Sequence, residues 1–311
     1  MDRNLSVWSY INYFQSSSQT QKYLRSCYQK AELSDADTKS YDNCYPFMYY
    51  LEQGEVYYEQ AAISPLSIKP ILLFYGFVHL MKACLLTKDP LYPETTTVLA
   101  HGLTTRKRKK QNYLFLQDEV KIQKNGLFSY FFEQLFHVKH FPGEKFKMEE
   151  LLLEIPEIQD TYEYLFNKKA FIPFRSENTL PLDEEVLKHF HMSQSLFKNY
   201  LSERLGNRGN WIQDNTLQIN NQIDTPPIRL NQKEDLFYLP ISRSIANDIP
   251  EILIHYALLY NLSMIARYET EWWVELLKNH ANEDYPLIRE LLLISEQKTP
   301  RLILDLLEIK K

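Results

Sequence analysis

The stretch from Ile71 to Leu86 is apolar on nearly every side, with His79 and Lys82 as its charged or titratable interruptions. A helix of that composition cannot lie on a surface, so it predicts the central rod of a helical bundle, enclosed by other helices. Ser67 and Pro70 mark its start, because a proline in the first turn gives up an amide that has no intrahelical partner there. Lys88-Asp89-Pro90 and Pro93 mark its end. Two ionisable groups in so short a span argue against a membrane crossing.

A second rod of the same kind is expected from Ile249 to Tyr268. Asp248 and Glu251 read as a D-x-x-E capping box around Pro250 that opens it. Shorter helices are expected from the serine-rich signal at Ser16 to Tyr28, over Tyr49 to Ala62, Phe128 to His137, from Lys147, and over Leu182 to Leu205. A pair in the tail, Pro286 to Leu307, is split by Pro300. Ala31 to Asp42 reads as a polar surface loop and Tyr92 to Gln111 as an irregular connection. Tyr113 to Gln123, followed by Lys124-Asn125-Gly126, predicts a short hairpin.

Between 210 and 242 the pattern changes to short runs such as Thr216-Leu217-Gln218-Ile219 and Leu236-Phe237-Tyr238-Leu239-Pro240, set between turn residues. The fold expected is mostly α (α+β). It is one domain over 1–311, a helical bundle with two long buried helices and a small antiparallel β insertion at 210–242. With 311 residues and 44% apolar content the chain can bury such a core.

Seven glycines, none clustered, leave no G-x-G-x-x-G, no G-x-x-x-x-G-K-[ST] and no G-x-S-x-G, so dinucleotide, P-loop and hydrolase-elbow readings fall together. Cys27, Cys44 and Cys84 form neither a C-x-x-C pair nor an even set, which suits a reducing compartment. The N-terminus lacks a basic segment followed by an apolar one, so a cytoplasmic location is expected and no membrane partner. A net charge of -5 argues against general coating of nucleic acid, so any anion site must be local.

Three features offer such a site. On the first rod, Tyr75, His79 and Lys82 fall at i, i+4 and i+7 and share a face. On the second, Tyr256, Tyr260, Ser263 and Arg267 form a matching stripe, in which Arg267 is the best anion binder if it is not taken by Glu269 or Glu271. Between the rods in sequence, His101-Gly102-Leu103 marks a tight turn, followed by the basic run Arg106-Lys107-Arg108-Lys109-Lys110. His137-x-x-His140 and His189-x-His191 have spacings a metal can use, but no carboxylate joins them in an H-E-x-x-H pattern. No metal or cofactor is expected, and Cys84 reads as a small core residue.

The Trp8-x-Tyr10-x-x-Tyr13-Phe14 element, the Lys69 to Ala83 segment, the His101-Gly102-Leu103 turn and the Leu258 to Tyr268 segment together resemble the YaaC-like proteins of Gram-positive bacteria, nearly end to end. That resemblance implies a fold more than an activity. Residues 61–108 also resemble, more locally, the helical domains called HEPN, many of which act on RNA. Catalytic members of that group carry an arginine followed four to six residues later by histidine. Here His101 and Arg106 stand in the reverse order and no arginine has a histidine at that spacing.

Two functions follow as expectations. One is a non-catalytic interaction or regulatory protein that presents the basic loop, Arg106 and Arg108 included, to an acidic protein partner or a nucleotide or phosphate ligand. The other is a HEPN-related enzyme acting on RNA or a nucleotide, with His79, His101, Arg106 and Arg267 converging on one cleft.

Overall fold

The computed structural model describes residues 7–105, 113–137, 142–175, 178–212, 215–219, 226–241, 245–280 and 282–308. The basic run at 106–110, and His140 of the histidine pair, lie outside the described residues.

The apolar run forms α4 (Lys69–Lys88), with Pro70 in its first turn and Leu73, Phe74, Phe77, Leu80, Met81, Cys84 and Leu85 almost fully buried. By length and composition α4 could cross a membrane, but most of its surface is covered by protein. Its coat consists mainly of α3 (Ala36–Ile63), α10 (Glu251–Tyr268) and α12 (Asp284–Leu306), with α2 (Ser17–Lys30) and α5 (Leu127–Phe136) at its margins. The helices α3 and α4 come together at two glycines. A Cβ on Gly54 would meet Leu80 at 2.4 Å, and one on Gly76 would meet Tyr57 and Tyr58 at 2.8 Å.

Several expected breaks are absent. The helix α3 starts at Ala36, inside the expected surface loop, and passes through Pro46. Both Pro46 and Asp42, the residue whose carbonyl bond proline removes, are exposed, so water can replace that bond. The tail is one helix, α12, because tertiary bonds hold it before Pro300 and core residues hold it after. Lys69 pairs with Glu296 at 2.5 Å, Tyr58 hydrogen-bonds Thr299, and Leu302, Ile303 and Leu304 are buried.

The capping box at Asp248 and Glu251 does not form. The N-cap of α10 is Pro250, Asp248 pairs with Arg204 at 2.7 Å, and Glu251 turns inward to Lys298 at 2.5 Å. The expected Leu182 to Leu205 helix is two helices, α8 (Glu184–Phe190) and α9 (Gln194–Leu205). They are separated by a left-handed His191 and an N-cap on Ser193.

Among the described residues three small antiparallel sheets accompany the helices. In the first, β1 (Leu103–Thr105) pairs with β2 (Glu119–Ile122), which pairs with β3 (Lys145–Lys147). The Lys124-Asn125-Gly126 turn therefore leads into α5 (Leu127–Phe136) instead of returning a hairpin strand, because the partners of β2 lie on either side of that segment in sequence. The segment 210–242 carries β7 (Thr216–Ile219), β8 (Arg229–Asn231), β9 (Leu236–Pro240) and nearly all of β6 (Gly209–Ile212). Two upstream strands join it: β4 (Phe171–Pro173) on β9 and β5 (Thr179–Pro181) on β7.

With α8 and α9 these two sheets enclose a second apolar core around Phe174, Leu180, Phe190, Phe197, Leu201 and Leu217. A buried charge network lies where this core meets the helices. Arg229 of β8 pairs with Glu154 at 2.8 Å and donates to the carbonyl of Ile249 at 2.9 Å, all fully enclosed.

Candidate functional site

One face of α4, one face of α10, the inner face of α3 and the His101 turn meet in a cluster of rings and cations. His101 is held there by its backbone. Its carbonyl accepts from the hydroxyl of Tyr256 at 2.9 Å and from the amide of Phe128 at 3.2 Å. The amide of Leu127 donates to Ala100 at 2.7 Å, and Gly102, at φ +79°, lets the chain turn back into β1. The imidazole then lies 5.0 Å from the ring of Phe74, 6.0 Å from Tyr75 and 5.7 Å from Tyr260, centroid to centroid.

Arg267 reaches across from α10. Its guanidinium donates to the Tyr75 hydroxyl at 2.9 Å and lies 5.5 Å above the Tyr75 ring and 5.2 Å from that of Tyr268. A bond from Nε to the Ser263 carbonyl at 3.0 Å anchors it. The alternative pairing with Glu269 or Glu271 is not made within ion-pair distance. Ser263 itself is fully buried and its hydroxyl returns to the Tyr260 carbonyl, so it supports the helix and does not face a ligand.

About one turn further along α4, His79 stacks on Tyr57 at 5.6 Å and lies 6.0 Å from Tyr50. Lys82 stands over the Tyr50 ring at 5.6 Å and forms no ion pair with the described residues. Tyr50 and Tyr57 were not singled out in the sequence. They are at i and i+7 of α3, a same-face spacing already present within the expected Tyr49 to Ala62 helix.

The electrostatics have one sign. Burial lowers the His79 imidazole below its usual range, and Lys82 lowers it further. Burial likewise lowers His101, with Arg267 and then Lys82 adding to it. Burial also pulls the Lys82 ammonium down. No carboxylate is among the causes acting on these three groups.

The cluster also has polar atoms without partners. The Nδ1 atoms of His79 and His101 and the Tyr92 hydroxyl are buried and have no hydrogen-bond partner among the described residues. Buried polar groups are ordinarily paired, so three orphans around one face of α4 mark a place where a polar ligand or water belongs. Tyr256 is fully buried beneath His101, and Tyr260 is nearly so. They build the floor, while Tyr50, Tyr57, Tyr75, His79, Lys82 and Arg267 keep partial exposure.

Two cavities lie elsewhere in the described structure and differ in character from this cluster. A cavity of about 330 Å³ beside Lys169, Arg175 and His189 is also lined by Asp183 and Glu185, and one of about 430 Å³ beside Lys233 and Arg301 is lined by Glu157 and Glu290. Cys84 is fully enclosed and burial pushes its thiol well up, so it serves packing. His137 and His191 both adopt left-handed backbone as helix C-caps.

Helices around a buried rod, small antiparallel sheets at one side and a half-buried cluster of cations, phenols and imidazoles define a mostly helical α+β protein. The family model described as YaaC-like Protein matches residues 12–307, and the chain belongs to that family. The comparisons with curated proteins and with solved structures find no match.

Proposed function

We propose that this is a cytoplasmic, non-catalytic regulatory or interaction protein that binds a negatively charged ligand, a phosphate-bearing molecule or an acidic partner, at the α3, α4 and α10 cluster. The observation that carries the reading is Lys82 and Arg267 flanking two imidazoles with orphaned Nδ1 atoms, with no carboxylate acting on any of the imidazoles or on Lys82. Such a set, on rigid helices, offers charge-assisted donors that lack an anion. The basic run follows Thr105 directly in sequence, and Thr105 accepts from Asn261 of α10 at 3.3 Å.

Titration calorimetry with inorganic pyrophosphate tests it. Arg267→Met should weaken binding about tenfold or more, the equivalent of one charge-assisted hydrogen bond. Charge reversal at Arg106, Arg108 and Lys109 should abolish capture of an acidic partner and leave thermal stability unchanged. Undiminished binding in both variants would remove the reading.

A pH dependence follows with a definite sign. His79 faces Tyr50, Tyr57 and Lys82; His101 faces Tyr75, Tyr260 and Arg267, with Lys82 acting on it from further off. Both imidazoles are depressed in the free protein, and a bound anion would raise them, so binding takes up protons. Affinity should therefore grow as pH falls from about 7.5 to about 5.5. Without ligand the same depression works against the fold: below about pH 6.5 the unfolded chain binds protons first, and stability falls. Opposite slopes with and without pyrophosphate in thermal melts are the expected result.

The convergence of His101 and Arg267 also favours a second reading, an enzyme acting on RNA or a nucleotide. It predicts turnover of those substrates that His101→Asn abolishes; the first reading predicts none.

A further inference from the structure

The cluster is built from the same unit twice. At one end of the α4 face, a cation sits over a tyrosine ring beside a histidine whose Nδ1 is buried and unpartnered: Arg267, Tyr75 and His101. At the other end the arrangement recurs with Lys82, Tyr50 and His79. Tyr75, the ring beneath the first cation, and Lys82, the second cation, stand about two helical turns apart on α4, ~10 Å along the axis. Tyr57 connects them, 6.4 Å from Tyr75 and 5.6 Å from His79.

A single small anion can occupy one unit and leaves the other as it was, with a cation and an orphaned imidazole nitrogen. We infer that the ligand carries two anionic groups, one for each unit, held about 10 Å apart by a less polar linker lying across Tyr57. The chemical class is a bisphosphorylated small molecule. The inference rests on the anion-binding reading above and adds the number of anionic groups and their spacing.

Linking two anions makes the second contact intramolecular, and the gain is greatest when the linker matches the span. Inorganic phosphate and the propane-, hexane- and dodecane-diyl bisphosphates are suitable probes, the three bisphosphates being shorter than, close to and longer than ~10 Å. The hexane compound should bind at least about tenfold tighter than inorganic phosphate, with the propane compound near phosphate itself and the dodecane compound between them. Lys82→Met and Arg267→Met should each reduce the hexane compound to the affinity of inorganic phosphate, with unchanged circular dichroism and melting to show that the fold survives.

If phosphate binds and the bisphosphates show no optimum, or if only one of the two variants matters, the two-anion inference falls and the anion-binding reading stands. If no phosphate compound binds at all, both fall.

Discussion

Arg229→Met is expected to lower stability by about 3–5 kcal/mol, among the largest effects a single substitution can have here. The variant leaves the Glu154 carboxylate in a fully enclosed site without the guanidinium that approaches it at 2.8 Å and 3.1 Å. It also removes donation to the carbonyls of Ile249 and Ala246, at 2.9 Å and 3.3 Å, just before α10 begins. Urea denaturation followed by tryptophan fluorescence measures the loss.

The cost of burying the Glu154 carboxylate gives the prediction a pH dependence. Burial holds the Glu154 carboxyl up at about 7, against an ordinary 4.5, despite the pull of Arg229; Glu251 and Asp248 add to the rise. A folded value above the unfolded one means that ionisation opposes folding, so this group's penalty is complete above about 7 and vanishes as pH falls through 4.5. The loss in Arg229→Met should therefore be greater in mildly alkaline than in mildly acidic buffer. The double variant Glu154→Leu with Arg229→Met should recover most of the loss, because it removes the buried charge together with its partner. A double variant as unstable as the single would show that the carbonyl contacts, and not the ion pair, set the cost.

Glu251 has the opposite sign. Burial pushes it up, but Lys298 and then His255 outweigh this and hold it down to about 2. Its contribution is present above 4.5 and is lost as pH falls towards 2.

The inward turn of Glu251 also shows where a sequence can and cannot be read. Capping rules follow local spacing, and Asp248 and Glu251 have the right one. Lys298, which claims Glu251, is far along the chain and gives no local signal. Pro300 misleads for the same reason: it removes a backbone bond, but contacts distant in sequence keep α12 continuous.

Residues on a helix face were legible because periodicity carries them. Tyr75, His79 and Lys82 share a face by spacing alone, as do Tyr256, Tyr260 and Arg267. What spacing could not supply is the contact across helices: Arg267 on Tyr75, or Tyr57 stacked on His79. In the first sheet β2 falls inside the segment expected to form a hairpin, but its partners were hidden, since they come from segments before and after it in the chain.

Gly126→Ala should act on fold and site together. Gly126 lies at φ +125°, where a side chain is strained whatever space surrounds it. Here there is no space either: a Cβ would meet the Cα and N of Gly102 at 2.4 Å and the carbonyl of Ala100 at 2.9 Å. These contacts are backbone, so no rotamer change can relieve them. Relief requires the His101 turn to move away from the start of α5, which lengthens the bonds from Leu127 to Ala100 and from Phe128 to His101, now 2.7 Å and 3.2 Å. The stability cost should be about 3 kcal/mol, the combined effect of strain and lost bonds. The more telling result is at the cluster. If the turn is what places the His101 imidazole beside Arg267, anion affinity should fall by about tenfold even under conditions where the variant is fully folded. Arg267→Met in the Gly126→Ala background should then cost less than it does alone, because the two changes disturb one unit. Full additivity of the two losses would mean that the turn and the guanidinium act independently, and that His101 has no part in holding the anion.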